Sequence, residues 1–512
     1  MEILTNLEAG FAVALQWDNI LFCFIGVTLG TIIGLLPGIG ALSTISMLLP
    51  ITFYMDPTTA IIMLAGVFYG AQYGGSTASI LLNIPGTSAN AVTCLDGHPM
   101  AKNGRAGVAL ALTTITSFVG GSFSILVMIF LTPYIARFAL EFGAAEYFSI
   151  AVFGLIAAST LSRGSALKGL AMVVVGVLLG IVGMDVNSGV QRFNFGILEL
   201  SDGLSIVALA MGLFGVAEIL SNLLRYSGEP YKIDKVTYAS LMPTRQDIRD
   251  STPSTVRGML IGCLCGILPG AGPTIASFMA YAAEKRASRH PERFGTGVVQ
   301  GIAAPEAANN ASVQSAFIPT LSLGIPGDSV MAVLLGALII HGIVPGPTLV
   351  LEQPQLFWGL VASFWVGNII LLALNLPLIG LFVQILRIPY DALYIAMLFF
   401  ICIGVFTIRN NVFDIFVMLG FGLVGTFMLI ARFPAAPLLL GFILGPMIEE
   451  NMRRALLLSR GDWLTFVDSP ITATCAVLSV VSLVWSFWSP LAGFIGRARD
   501  RRSNSLGSTG FD

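Results

Sequence analysis

The stretch AAPEAANNAS, residues 303–312, holds a carboxylate and two amides at a spacing that puts them on one helical face. Glu306, Asn309 and Asn310 stand at i, i+3 and i+4. No other Asp, Glu, Lys or Arg occurs between Arg293 and Asp328, so the local chain offers this carboxylate no counter-charge. Carboxylate and amide oxygens form a hard-oxygen set suited to Na+ or to a proton-linked site. An amide also presents nitrogen to an anion. A plainer reading stands beside this one: Pro305 at the first position of a helix and Glu306 in its first turn is an ordinary helix start.

Two longer phrases place neutral donors around a Pro-Gly pair. The first is YGGSTASILLNIPGTSANAV, 73–92, with Ser76, Thr77, Asn83, Ser88 and Asn90 around the break. The second is NNASVQSAFIPTLSLGIPGDSV, 309–330, where Pro319 and the pair Pro326-Gly327 are expected to break the helix twice. Proline donates no amide and glycine tolerates positive φ, so together they end a helix. In lipid a broken helix leaves polar backbone groups unpaired, and it survives only where protein or a watery cavity covers it. The freed N–H groups of the next half-helix form a positive pole that can hold a carboxylate without a buried Lys or Arg. Thr87 follows the first break and is predicted to cap that half-helix. Asp328 takes its place in the second half; its charge repels an anion and attracts a cation. The first tip is therefore expected to favour substrate carboxylate, and the second tip with its Asn residues a coupling cation. Against this, Gly, Ser and Thr are also the residues that let membrane helices pack closely.

The surroundings of these phrases are apolar. The chain has 512 residues, 55% hydrophobic and 11% charged, with mean hydropathy +0.86; soluble domains carry about 25% charged residues. Residues 19–55, 57–95, 106–136, 258–283, 355–386 and 469–496 contain no Asp, Glu, Lys or Arg. A spanning helix needs roughly 20 mostly apolar residues, and the windows predict an all-α polytopic membrane protein of about twelve transmembrane segments, give or take two. A β-barrel would alternate instead. The net charge of −2 and the lack of a basic, aromatic-rich tract point away from nucleic acid. The opening MEILTNLEAGFAVALQWDNI has no Lys or Arg, unlike a cleaved signal peptide. Six scattered cysteines and three scattered histidines make no metal motif.

The chain also repeats itself. GLLPGIG at 34–40 recurs as GILPGAG at 266–272, 232 positions on, and IPGTS at 84–88 recurs as IPGDS at 325–329, 241 positions on. The reading is two homologous halves, 1–224 and 258–450, joined by a polar linker, 225–257, and followed by a segment, 451–512, with a last transmembrane helix and a basic tail. The halves are inverted if each holds an odd number of spans. Duplication with Gly/Pro-interrupted segments in matching places is the sequence mark of a secondary transporter, and the interruptions, as paired re-entrant hairpins or broken helices, point to its site. The tail RARDRR, the stretch EKRASRHPER and the linker are placed on the cytoplasmic side.

The two long phrases, extended to DGHPMAKNGRAG at 96–107 and HGIVPGP at 341–347, resemble the signature blocks of the large membrane subunit of tripartite tricarboxylate transporters, the TctA family. GLLPGIG and GILPGAG, GMDVNSGVQRFNFG at 183–196 and PLLLGFILGPMIEENMRRAL at 437–456 are similar as well. His98 stands where that family often has an aromatic residue. The resemblance spans nearly the whole chain. It implies a bacterial inner-membrane carrier of citrate-like di- or tricarboxylates, driven by Na+ or H+ and needing no cofactor. Its implied partners are a periplasmic solute-binding protein, a small membrane subunit of about four helices and membrane lipid; a homodimer is also allowed. Carried over by motif, substrate binding falls to Ser76, Thr77, Asn83, Pro85, Gly86, Thr87, Ser88, Asn309, Thr320, Pro326 and Gly327. The coupling ion falls to Gly38, Gly40, Gly270, Gly272, Glu306, Asn310 and Asp328. The competing classes are an anion channel, which uses repeated filter loops around a pore, and a membrane-embedded enzyme with Glu306 or Asp185 as acid–base. No clustered His, Cys or paired-carboxylate motif supports the enzyme.

Overall fold

The computed structural model describes residues 2–36, 40–161, 165–185, 188–225, 241–376, 390–484 and 486. Gly38, residues 226–240 of the linker and the basic tail lie outside them. Among the described residues the fold is helical throughout, apart from one antiparallel pair of two-residue strands, Gly183–Met184 with Gln191–Arg192.

Two helices form the centre. The first, Pro57–Leu82, is begun by Asp56, which accepts N–H bonds from Thr58 and Thr59, with Pro57 at the first helical position. It ends where Asn83 turns left-handed, φ 59°. Its 26 residues reach about 39 Å, more than the roughly 30 Å of hydrocarbon, and nearly all are buried. The second, Gln300–Ser315, continues as Phe317–Leu323 and stops at left-handed Gly324. Pro305 and Glu306 lie inside this helix, buried, because it begins five residues ahead of Pro305. The plain helix-start reading of that pair is set aside.

Each central helix is paired with one neighbour along a ladder of small residues. Trp17–Leu35 runs against Pro57–Leu82, and a Cβ on Gly26, Gly30 or Gly34 would run into the backbone of Met63, Val67 and Ala71. Arg245–Ile267 runs against Gln300–Ser315, and a Cβ on Gly258, Gly262 or Gly266 would run into the backbone of Ala304, Ala308 and Ser312. The glycines of the two ladders are 232 positions apart and their partners 241, the offsets of the two Pro-Gly motifs. Close backbone approach of this kind is how helices gain packing energy where lipid is as apolar as leucine. Ala106–Ala139 and Pro354–Asn375 complete the centre. Outside it, Ala166–Gly180 packs on Ala435–Leu458, while Val412–Ala431 packs on the helical run from Ile206 to Arg225, which passes through a π turn at Met211–Val216.

Among the described residues four helices are long and apolar enough to cross a membrane: Trp17–Leu35, Thr93–Ala139, Pro354–Asn375 and Val412–Ala431. Shorter apolar helices include Ala41–Thr52 and Ser329–Ile340. Each has 12 residues, about 18 Å, little more than half of the hydrocarbon. Both begin directly after a Pro-Gly motif.

One carboxylate fastens the helix after the first IPG motif to the loop ahead of Gln300–Ser315. Asp96 is fully buried. Its Oδ1 accepts the N–H groups of Gly295, Gly297 and Val298 at 2.9, 2.9 and 3.0 Å, and its Oδ2 the hydroxyl of Tyr281 at 2.9 Å. Asp96→Ala would leave four donors without their acceptor. At about 1–3 kcal/mol for each buried donor left unmade, the expected loss is several kcal/mol, read as a lower melting temperature in detergent, with the larger part restored by Asp96→Asn. Equal melting of Asp96→Ala and the unaltered chain would remove Asp96 from this role.

Candidate functional site

The Pro-Gly tips meet around one cavity of about 780 Å³. Four helices start at its wall: Ala41–Thr52, Gly272–Ala287, Ser329–Ile340 and Ala435–Leu458. Three of these starts, at Gly40, Ala271 and Pro434, have no side-chain cap. Only Ser329–Ile340 is capped, by Asp328, which accepts the N–H of Met331 at 2.8 Å. A helix start leaves N–H groups without intrahelical partners and carries positive partial charge, so three such poles border one space, the one at Gly40 with the Glu218 carboxylate against it. The tips are tied to each other: the N–H of Gly270 donates to the carbonyl of Gly327 at 2.8 Å, and the hydroxyls of Ser88 and Thr274 lie 2.6 Å apart. Three charged residues line the cavity: Glu218, Asp328 and Arg432. Glu218 accepts a hydrogen bond from Ser43, whose hydroxyl also lies 3.1 Å from the carbonyl of Phe214 in the π turn. Asp328 Oδ2 has no hydrogen-bond partner.

Behind the cavity wall lies a closed polar cluster on Glu306, which is 1% exposed. Its carboxylate accepts from Ser76 Oγ at 2.6 Å, from Asn90 Nδ2 and Ser117 Oγ at 3.4 Å each, and from Thr93 Oγ1. Asn310 Nδ2 donates to Ser117 Oγ at 2.7 Å. Four donors are about as many as a carboxylate accepts, so its oxygens are satisfied without a cationic partner. The cluster reaches the cavity wall at Thr87 and at Gln72, whose carbonyl accepts from Ser76 Oγ at 3.0 Å. Thr87, on the cavity wall, lies 2.5 Å from Asn90 Oδ1 and 2.9 Å from Gln72 Oε1, and Asn90 in turn donates to Glu306. Several buried atoms beside the cluster have no partner: both polar atoms of Asn309, Asn310 Oδ1, Ser312 Oγ and Gln314 Oε1. Unpaired groups at this depth are costly, and an amide oxygen in that state is a ready ligand for water or a cation.

The residues singled out from the sequence thus divide. Gly40, Gly86, Thr87, Ser88, Gly270, Gly272 and Asp328 share the cavity. Ser76, Glu306 and Asn310 share the closed cluster, so Ser76, expected on the substrate side, touches the carboxylate expected on the ion side. Asn309 is buried beside that carboxylate on the same helix without a hydrogen-bond partner. Pro326 and Gly327 are buried behind the second tip, and Thr320 bonds back to Ala316 O at 2.8 Å. Thr77 turns to its own helix, toward Tyr73 O at 3.5 Å. Asn83 and Pro85 are exposed at the helix end, with Asn83 spent on the left-handed stop. The expected cap at Thr87 is corrected: its hydroxyl goes to Gln72 and Asn90, and a 3-10 turn, Ala89–Ala91, comes before the next helix, Thr93–Met100. The second segment is interrupted at Ala316 and Gly324, while Pro319 rides inside Phe317–Leu323. Sequence reasoning missed Gln72, Thr93, Ser117, Ser43, Glu218, Thr274 and Arg432. A signal existed for Glu218, a lone acid in an apolar run; none existed for the hydroxyls.

The profile of the Tripartite tricarboxylate transporter TctA family matches residues 20–440. An uncharacterized 52.8 kDa protein in the TAR-I ttuC' 3' region of Agrobacterium vitis is 49% identical over 484 residues, 94% of this chain and 96% of that one. A second Agrobacterium vitis protein, from the TAR-II ttuC' 3' region, is 49% identical over 223 residues, 44% of this chain and 92% of its own length. An uncharacterized Methanocaldococcus jannaschii protein, MJ1079, is 29% identical over 210 residues, 41% of this chain and 49% of its own. No solved structure matches.

Proposed function

The chain belongs to the tripartite tricarboxylate transporter TctA family, and on that premise we propose that it carries a citrate-like di- or tricarboxylate inward across the bacterial inner membrane, driven by a Na+ or H+ gradient. The observation that supports this most directly is the convergence of helix starts on one cavity, three of them uncapped. Several open positive poles suit a ligand with several carboxylates. The partners of this reading are a periplasmic binding protein that delivers the substrate and a small membrane subunit of about four helices. The chain itself is read as two homologous halves of about twelve spans in all. The matched glycine ladders support the duplication, and the 12-residue helices after GLLPGIG and after the second IPG motif support re-entrant tips.

Within the site, the cavity face of the first tip, Gly86 to Ser88, is assigned to substrate. The coupling cation is assigned to Glu306 with Asn310 and Asn309, and to Asp328 at the second tip. The hydrogen-bond link through Thr87 and Asn90 gives the two a common part, so filling one changes what the other offers. Asp328→Asn is expected to raise the cation concentration for half-maximal transport about tenfold, the size of one charge-assisted contact, and to change carboxylate half-saturation less. Thr87→Ala is expected to do the reverse. Both effects are read from uptake at varied cation and substrate. Variants that differ only in the amount of protein would remove the tips from the site.

The test of the whole reading is uptake by proteoliposomes holding this chain, its small-subunit partner and the binding protein. Labelled citrate, then a panel of other carboxylates, is supplied with an inward Na+ gradient, with a proton gradient and with neither. Accumulation above equilibrium that depends on one gradient is the expected result and identifies the ion. Non-saturable flux that only runs to equilibrium would make the protein a channel.

A further inference from the structure

We infer that Arg432 is the cationic anchor of this cavity, a residue that takes one carboxylate of the substrate in its guanidinium fork. The inference rests on the carboxylate reading above and adds the residue that sets its charge specificity. Arg432 ends the helix Val412–Ala431 in the left-handed region, φ 58°. That conformation disfavours any side chain, and helices that stop this way usually do so on glycine. An arginine held there calls for a use of its side chain.

The ordinary use is already taken. A basic group near a helix C-terminus commonly serves the last carbonyls, but here Lys168 does so, with Nζ 2.7 Å from the carbonyl of Ala431 and 4.3 Å above the ring of Phe433. Arg432 is exposed on the cavity wall. Among the described residues its guanidinium has no ion pair and no hydrogen bond, and neither of the cavity's acids, Glu218 and Asp328, lies within ion-pair distance. Arg432 is also, among the described residues, the only cationic side chain on that wall. Two residues later Pro434 begins Ala435–Leu458, whose uncapped first turn faces the same space. A planar fork of N–H donors beside free backbone N–H groups matches a carboxylate in shape and charge. A cavity with two acids and no base would repel a multiply charged anion; the arginine offsets this.

The test uses the complete three-component system in proteoliposomes with citrate, succinate and acetate as probes. Arg432→Gln is expected to raise the half-saturation concentration for the transported carboxylate roughly tenfold to hundredfold, the size of a charge-assisted hydrogen bond. Arg432→Lys should recover part of the loss, and the cation half-saturation should stay within about twofold of the unaltered chain. A carboxylate half-saturation within about twofold for Arg432→Gln overturns the anchor and leaves the carrier reading standing. No uptake of any carboxylate by the unaltered chain overturns both. A second readout reports occupancy of the cavity directly. In Arg432→Cys, citrate at ten times its half-saturation should slow modification by an anionic thiol reagent about tenfold, with sucrose as the inert control. Equal rates with citrate and sucrose, at a citrate concentration that still saturates uptake by this variant, overturn the anchor.

Discussion

Glu306→Ala is expected to fail to accumulate as folded protein, while Glu306→Gln folds and loses its cation dependence. The carboxylate is the common acceptor for Ser76, Thr93, Asn90 and Ser117, from three separate segments of the first half. Alanine leaves all four donors facing a void. At about 1–3 kcal/mol per buried group left unpaired, the loss reaches a large share of the roughly 5–15 kcal/mol that holds a typical fold together. Glutamine keeps the shape and one acceptor, and three of the four donors are hydroxyls that can turn to meet its N–H. Asn90 Nδ2 is the contact that suffers. The fold should therefore survive with a loss of about 1–3 kcal/mol, seen as a modest fall in melting temperature. Uptake against cation concentration is the decisive measurement. In Glu306→Gln the curve should flatten, with gradient-driven uptake down about a hundredfold if the carboxylate contributes roughly 3 kcal/mol to ion binding. A steep curve like that of the unaltered chain would place the coupling ion elsewhere.

Gly86→Ala is the second large effect. Gly86 is the turn of the first tip, and a Cβ there would meet the carbonyl oxygen of Gly34 and the Cα of Gly75. These are the backbones of two helices, so no flexible side chain can swing away. The tip must move, and Thr87, next in sequence, carries the link to Asn90 and the cavity. Overpacking of this kind costs typically 1–3 kcal/mol. The larger consequence is positional: a displacement near 1 Å at a binding constellation can cost about a hundredfold in rate. Helix content by circular dichroism should be unchanged, carboxylate uptake should fall at least about tenfold, and the substrate half-saturation should rise. Uptake and melting like those of the unaltered chain would show that the tip has room the geometry does not give it.

What could be read in the sequence follows what needs only local chemistry. Pro-Gly pairs in an apolar chain forecast breaks, and breaks in lipid forecast a covered space; Gly40, Gly86, Gly270, Gly272 and Asp328 meet there. Glu306 with Asn310 on one face was legible because i, i+3, i+4 spacing is fixed by the helix. The partners of that face were not, since Ser76, Thr93 and Ser117 look like any small residues in a membrane helix until packing selects them. Thr87 went wrong for the same reason. A cap is the local choice for a threonine after a break, and the side-chain amides of Gln72 and Asn90 competed better. Arg432 was invisible because it reaches the cavity from a helix that carries no motif, and Glu218 showed only as a lone acid in an apolar run. Span counting suffers from the breaks themselves, since a charge-free window such as 19–55 holds a full-length helix and a 12-residue one.

The outer helices pair across a long stretch of chain: Ala166–Gly180 lies on Ala435–Leu458 and the run ending at Arg225 lies on Val412–Ala431. During synthesis, the ribosome must add about 250 residues after Gly180 before its partner exists. At roughly 5–20 residues per second that takes about 13–50 s. Throughout that interval Gly176 and Gly180, whose backbones end up pressed against Leu438 and Phe442, face lipid or the insertion machinery. The nascent chain is therefore most open to degradation late in its production, and truncations that spare every residue of the cavity's first tip would still be cleared by the cell's quality control.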